Sequence, residues 1–400
     1  MTSRLFSLAM LALALAAFAL AMLAGCGAAP APSASAPTVA GEFGKPELVY
    51  AWTRIDYDFP SPADAAAYAR DRVYEKTLLA GVDLDRTGRV FVTTPRWLDA
   101  RVPATLSEVV DVGGRHVLRP FPSWDANRLA NEAGLRSVLG VDVDSRNRMW
   151  ILDMGWVAGE TAAPAGAQKL VVLDLNTGKE LLTVDESRGV AYISDSGNRA
   201  GSPTASGIIL YDLASNSARR VLDRDPRVQD DPARTLAVDG EQVLPGGRLA
   251  VGINGIALSP DGAQLYWSIT TGDAIYDAPT SALLDPRLTR EQLAGAVRGP
   301  LRIGGGSDGM SADDRGRIYA TNLSRDELDA IDPLTGAIRA IASGPEFAWA
   351  DSITWDDRGG LYVSTNHLNR GFAGALRFDQ AAPNFRIFRI QTDAHKGFVR

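Results

Sequence analysis

The sequence predicts an all-β protein, a six-bladed β-propeller preceded by a lipoprotein signal peptide and a flexible tether. A strand–turn–strand pattern recurs six times along the chain, and an N-terminal apolar run ends at the single cysteine, Cys26. Helical periodicity is confined to 63–74 and 288–297, too little for an α/β or helical class.

The N-terminus comes first in chain order. Arg4 precedes an apolar run over 5–24, followed by Leu23-Ala24-Gly25-Cys26. A positive start, an apolar centre and small residues before a cleavage point describe an export signal. The final four residues resemble the bacterial lipobox, whose cysteine is acylated and becomes the mature N-terminus. Residues 1–25 are therefore expected to be removed and Cys26 to carry the lipid that holds the protein to a membrane of the cell envelope, on its extracytoplasmic side. An uncleaved transmembrane helix is the alternative. Residues 27–41 hold Ala, Pro, Ser and Gly with almost no charge, so 26–46 reads as a lipidated tether and 47–400 as the folded domain.

That domain holds the six copies: GVDLDRTGRVFVTTP (81–95), GVDVDSRNRMWILDMG (140–155), VDESRGVAYISDSG (184–197), GIALSPDGAQLYWSIT (255–270), GMSADDRGRIYATN (309–322) and SITWDDRGGLYVSTN (352–366). Each sets a small apolar strand before a turn with Asp85, Asp144, Asp185, Asp261, Asp314 or Asp357, then a strand rich in aromatic and β-branched residues. Further strand-like runs at 169–175, 207–213, 218–222 and 385–390 give each copy three or four strands, the blade of a propeller. The run 47–57 is expected to join the last blade and close the ring. The third copy is short: either 181–184 is a compressed inner strand, or the third blade lacks one.

Composition narrows the function. Apolar residues make up 46% and charged residues 22%, ordinary for a chain with a large core. A net charge of -7, with cations scattered, excludes a nucleic-acid binder. With one cysteine in the chain, the domain has no disulfide, no cysteine metal site and no cysteine nucleophile. A monomer is expected.

Five segments occur in order: PRW (95–97), PATL (103–106), LRPFPSW (118–124), MWILDMG (149–155) and AYISDSG (191–197). The set resembles the major royal jelly protein/yellow family over residues 47–392. The resemblance implies a six-bladed propeller and a range of activities: conversion of dopachrome-like indoles, binding of biogenic amines, storage or signalling. Insect members use disulfides, which this chain lacks.

Equivalent positions at one end of the inner strands converge on a propeller's channel. The residues before the inner strands are Ala80, Leu139, Asn254, Asp308 and Asp351, so three oxygen side chains are expected around one axis. Oxygen ligands suit Ca²⁺. Asn254-Gly255-Ile256 and Asp308-Gly309-Met310 also resemble metal-binding segments of gluconolactonase/regucalcin-type propellers, which implies a Ca²⁺-dependent lactonase-like hydrolase. Strand capping is the plain alternative for all three residues.

Trp156 and Trp349 flank turn-like residues and are candidates to line a ligand mouth, with Asp153 the nearest carboxylate. Such a wall suits an indole, catechol or amine. His367, after the sixth copy, is a candidate ligand contact, whereas His116 reads as structural and His395 falls in the C-terminal tail. No Gly-x-Ser-x-Gly elbow is present, and Gly304-x-Gly306-x-x-Gly309 opens no helix of a βαβ unit. The expected function is binding of a small polar or aromatic metabolite in the channel, with isomerase-like turnover, lactonase-like hydrolysis and a non-catalytic interaction module as the three outcomes. No catalytic residue is assigned.

Overall fold

The computed structural model describes residues 38–176, 179–180, 189–244 and 246–397. The expected signal peptide and most of the tether, with Cys26, lie outside the described residues. Six sheets succeed one another along the chain as the blades of a propeller. Blade 1 holds Val82–Leu84, Val90–Thr93, Leu106–Val112 and Arg115–Pro120, and blade 2 holds Val138–Val143, Arg148–Asp153, Lys169–Asp174 and Lys179–Glu180. Blade 4 contains Ile253–Leu258, Gln264–Ile269, Ala274–Pro279 and Arg298–Arg302, and blade 5 contains Met310–Ala312, Ile318–Asn322, Glu327–Asp332 and Ala337–Ser343. Blade 6 takes Ala350–Trp355, Gly360–Thr365 and Phe385–Gln391 from the C-terminal end, and its outermost strand is Glu47–Trp52. That N-terminal strand pairs antiparallel with Phe385–Gln391 and covers its edge, closing the ring.

Blade 3 shows three described strands, Val190–Asp195, Gly207–Asp212 and Ser217–Val221. Residues 181–184, on which the question of its inner strand turns, lie outside the described residues.

In blades 1, 2, 5 and 6 the first hairpin is fixed by one carboxylate. Asp85 Oδ1 accepts from the backbone N–H of Thr87 and Arg89, both at 2.9 Å, while Oδ2 takes the Arg89 guanidinium at 2.7 Å. Asp144 repeats the pattern with Arg146 and Arg148, and Asp313 with Arg315 and Arg317. Asp356 binds the N–H of Arg358 and Gly360. The working residues of the fifth and sixth turns are thus Asp313 and Asp356, one position before the expected Asp314 and Asp357. Adjacent aspartates hid the register. In the fourth turn Ser259 takes the place, its hydroxyl accepting from Gln264 N at 2.9 Å. Gly88 (φ 86°) and Asn147 (φ 59°) supply the left-handed residue that ends such a turn.

The core lies in layers between blades. Phe91 and Leu106 of blade 1 pack with Val138, Met149 and Ile151 of blade 2. Trp267 and Leu265 of blade 4 pack with Ile208 and Leu210 of blade 3, and Tyr319 and Leu328 of blade 5 with Trp355, Leu361 and Phe388 of blade 6. Val82, Val90 and Val92 meet Phe385 and Ile387 across the closure between blades 6 and 1. Alternate side chains of a strand thus face the two neighbouring blades.

Two additions shape the channel ends. Between blades 3 and 4 the chain forms a small hairpin, Ala237–Val238 with Glu241–Gln242. At its tip Asp239 Oδ2 meets Arg370 of blade 6 at 2.9 Å, and Leu236 lies beside Gly306 ahead of blade 5, so this connection crosses the face where inner strands begin. At the opposite face the C-terminal segment folds back: Gly397 N donates to Ala312 O at 2.8 Å, and Lys396 Nζ reaches Asp142 at 2.7 Å and Val143 O at 3.3 Å. The tail around His395 is therefore part of the fold, because Lys396 answers the negative charge of Asp142 and of Asp83, a buried carboxylate on the inner strand of blade 1. Helices are few: Pro62–Arg70, capped by the Ser61 hydroxyl, then Thr280–Leu284, Arg290–Ala296 and Leu368–Phe372. Among the described residues no helix is long and apolar enough to cross a membrane.

Candidate functional site at the channel mouth

The inner strands of blades 2, 4 and 6 slip register at their first residues: between Val138 and Gly140, Ile253 and Ile256, and Ala350 and Ile353. A bulge re-aims the side chain it carries, and Leu139, Asn254 and Asp351 sit at these three bulges. Glycines let neighbouring inner strands approach. A Cβ on Gly309 would stand 1.9 Å from the Asp351 carbonyl, and one on Gly255 2.8 Å from the Asp308 carbonyl. Gly255 and Gly309 are therefore required by the close approach of blades 4, 5 and 6.

This packing brings the three expected residues together. Asn254 Nδ2 donates to Asp308 Oδ1, and Trp349 Nε1 donates to Asp308 Oδ2 at 2.7 Å. Asp308 N also donates to Thr321 Oγ1 at 2.9 Å, which fixes the residue on its own blade. Asp351 Oδ2 accepts from Asn366 Nδ2 at 2.7 Å, and the same amide donates to Leu79 O at 2.8 Å, just before blade 1. One hydrogen-bonded chain of side chains thus runs across blades 4 and 5, and a second ties blade 6 to blade 1. Asn254, Asp308 and Asp351 keep partial solvent contact, whereas Trp349 and Asn366 behind them are buried.

The two carboxylates titrate high. Burial pushes Asp308 up to about 6 against the pull of the Trp349 N–H. Asp351 is raised well above the usual carboxylate range, first by burial and then by the negative charge of Asp308. Two acids that feel each other in this way do not both ionise near neutrality. Trp349 is itself held at φ 50°, a left-handed conformation unusual for a bulky residue.

Trp349 reaches the site through its indole N–H, with its ring buried against Phe372 at a centroid distance of 6.1 Å. The other expected mouth residues stand apart from it. Asp153 is buried and accepts from the backbone N–H of Arg136, Ser137 and Gly155 at 2.7–2.9 Å, so its oxygens organise a turn of blade 2. Trp156 donates to Glu160 O at 2.7 Å, and one face of its ring is covered by Arg199 at 4.8 Å. His367 follows Asn366 in sequence, but lines a separate cleft together with Arg370 and Arg386. Asn366 and Thr321 complete the site beyond the residues that the strand repeats single out. The signal for Asn366 was present, since an Asn closes both the fifth and sixth copies; its partner across the fold was not.

Among the described residues no group of three or more His, Cys, Asp or Glu side chains converges as a metal cage. Asn254, Asp308 and Asp351 provide three oxygen-bearing side chains, where Ca²⁺ takes six to eight oxygens, and Asn254 turns its amide N–H toward Asp308.

The fold and this mouth define a class: a six-bladed propeller with two electrostatically coupled, high-pKa carboxylates at one end of its channel, each held by its own hydrogen bonds. Compared with known proteins, the chain matches the major royal jelly protein model over residues 136–186 and 180–398, and it belongs to that family. It is 28% identical over 273 residues to major royal jelly protein 3 of Apis mellifera, covering 60% of this chain and 46% of that one. Major royal jelly protein 5 of the same species is 28% identical over 266 residues, covering 59% and 42%. The chain thus spans about half the length of the curated relatives it matches. Among solved structures, a putative gluconolactonase superposes with TM-score 0.49 at 14% identity, covering 93% of this chain and 99% of that one. Regucalcin from Agrobacterium tumefaciens, described as a calcium-binding protein, gives 0.46 at 16% identity, covering 81% and 93%.

Proposed function

We propose that the protein binds a small polar or aromatic metabolite at the channel mouth and moves a proton on it, as a tautomerase-like isomerase. The observation that carries this reading is the Asp308–Asp351 pair, raised in pKa and held by Asn254, Trp349 and Asn366. A pair that retains one proton near neutrality offers a donor and an acceptor on neighbouring blades. Isomerisation by proton transfer needs such a couple, with pKa values near the working pH. Within the pair one carboxyl keeps the proton and acts as the acid, while the other, ionised, is the base. Asn254 and the Trp349 N–H steady Asp308 in either state.

The test is conversion of dopachrome, followed by its visible absorbance, in the wild type and in Asp351→Asn. The wild type should turn dopachrome over, and the rate should fall at least about a hundredfold in the variant, the usual share of a general acid or base. Absence of turnover together with absence of binding of dopachrome or dopamine would remove the proposal.

A divalent cation such as Ca²⁺ is the second reading, favoured by the repulsion between the same two carboxylates, which a cation would relieve. It would be held by Asn254, Asp308 and Asp351, and a ligand that prefers the folded state must raise the melting temperature. Calcium titration with thermal melting separates the readings.

The lipobox-like residues at Cys26 further support an exported protein tethered to a membrane of the cell envelope. Cys26→Ser should move the protein from the membrane fraction to the soluble fraction; retention in the membrane would contradict the anchor.

A further inference from the structure

A cleft of about 240 Å³ opens on blade 6, beside the channel mouth. It lies between the link into blade 6, the turn after its second strand and the approach to its third, and is lined by Glu346, His367, Arg370, Asn384 and Arg386 among others. Pockets for larger ligands run to roughly 300–1,000 Å³, so its occupant is small.

The charges in this cleft are unevenly matched. Arg370 is paired with Asp239 at 2.9 Å. Arg386 is partly buried and, among the described residues, forms no ion pair; its Nη1 meets His367 Nε2 at 3.2 Å. A guanidinium only donates, so Nε2 accepts and the proton of the neutral ring sits on Nδ1. That Nδ1 is buried with no partner.

His367 adds no charge: burial, then the nearby Arg370 and Arg386, push its pKa down to about 4. The residue is 6% exposed and sits at φ 46°, a strained conformation for a non-glycine. A partly buried cation that forms no ion pair and a buried donor without an acceptor are both unfavourable. Glu346, exposed at the rim, likewise forms no ion pair among the described residues, yet it lies close enough for its charge to act on Arg386.

One unpaired cation and one unpaired carboxylate therefore face a single small cavity. We propose that this cleft is a binding site for a small zwitterion of the α-amino-acid class, its carboxylate on Arg386 and its ammonium on Glu346. His367 orients the guanidinium from behind through Nε2, and Arg370, already neutralised by Asp239, leaves the net charge of the site balanced. A simple anion would leave Glu346 opposed and a simple cation would leave Arg386 opposed, which is the basis of selection.

Isothermal titration of the wild type with the common α-amino acids, acetate and methylammonium tests this. The expected result is saturable heat with at least one amino acid, weakened about tenfold or more by Arg386→Gln and by Glu346→Gln, as for loss of a charge-assisted contact. Asp308→Asn should leave that affinity unchanged, which separates the cleft from the channel. Glu346 is exposed, so its variant folds and keeps the test valid if Arg386→Gln does not. No heat with any amino acid at millimolar concentration, undiminished binding in Glu346→Gln, or acetate binding as tightly as the best amino acid would each overturn the proposal.

Discussion

Asp308→Asn isolates the electrostatics of the channel mouth. The substitution keeps the side-chain shape and an oxygen for the Trp349 N–H; the new amide faces Asn254, whose own amide turns over to accept from it. What changes is charge. Asp308 ionises at about 6 in the folded protein against an ordinary 3.8, and each pH unit of difference is worth about 1.36 kcal/mol. The full shift would be about 3 kcal/mol, and partial solvent contact at the mouth reduces it to about 1–3 kcal/mol.

The sign follows from linkage. A raised folded pKa favours the native state below pH 4, where the group is protonated in both states, and that advantage is lost as pH rises through 6. Wild-type stability therefore contains a component that declines between these values, and the variant lacks it. At about 2 °C per kcal/mol for a chain of this size, Asp308→Asn should melt about 2–6 °C higher than the wild type at pH 8, with the gap closing by pH 4. Melting curves by circular dichroism at the two pH values measure it. A variant that melts lower at pH 8, or one offset equally at both, would refute the assignment of an electrostatically strained carboxylate.

The interfaces between blades make two further predictions. Gly309→Ala places a Cβ against the Asp351 carbonyl, where 1.9 Å leaves no room, so the blades must separate; a loss of about 3 kcal/mol or more is expected, seen as a lowered melting temperature. Thr93 Oγ1 accepts from Gly81 N at 2.8 Å and donates to Leu139 O at 3.0 Å, linking blades 1 and 2. Thr93→Val removes both bonds at nearly constant volume, and should cost about 1–3 kcal/mol in denaturant unfolding.

Six copies of one hairpin pattern gave away the architecture because blades 1, 2, 4, 5 and 6 repeat the same local physics: a side-chain-capped turn between a small inner strand and a bulky second one. The convergence of Asn254, Asp308 and Asp351 was readable for the same reason, as radial symmetry turns equal positions in sequence into neighbours in space. Contacts made by residues outside the repeat were not readable. Asp153 looks like a mouth carboxylate in sequence, and only the fold shows three backbone N–H groups upon it. Trp349 was expected to offer a ring, but it offers an N–H, because its ring is needed in the core. Lys396 resembles tail residues in general; its place near Asp83 and Asp142 depends on a return of the chain that no local pattern encodes.

The claim beneath the proposed function is that carboxylates from blades 5 and 6 share charge at one channel mouth. Carbon-13 NMR titration of aspartate carboxyl groups, in the wild type and in Asp308→Asn, addresses it most directly. The variant should lose one carboxyl titrating near 6, and a second, Asp351, should move to lower pH once its neighbour is neutral. Loss of a signal titrating below 4.5, with every other carboxyl unmoved, would contradict it.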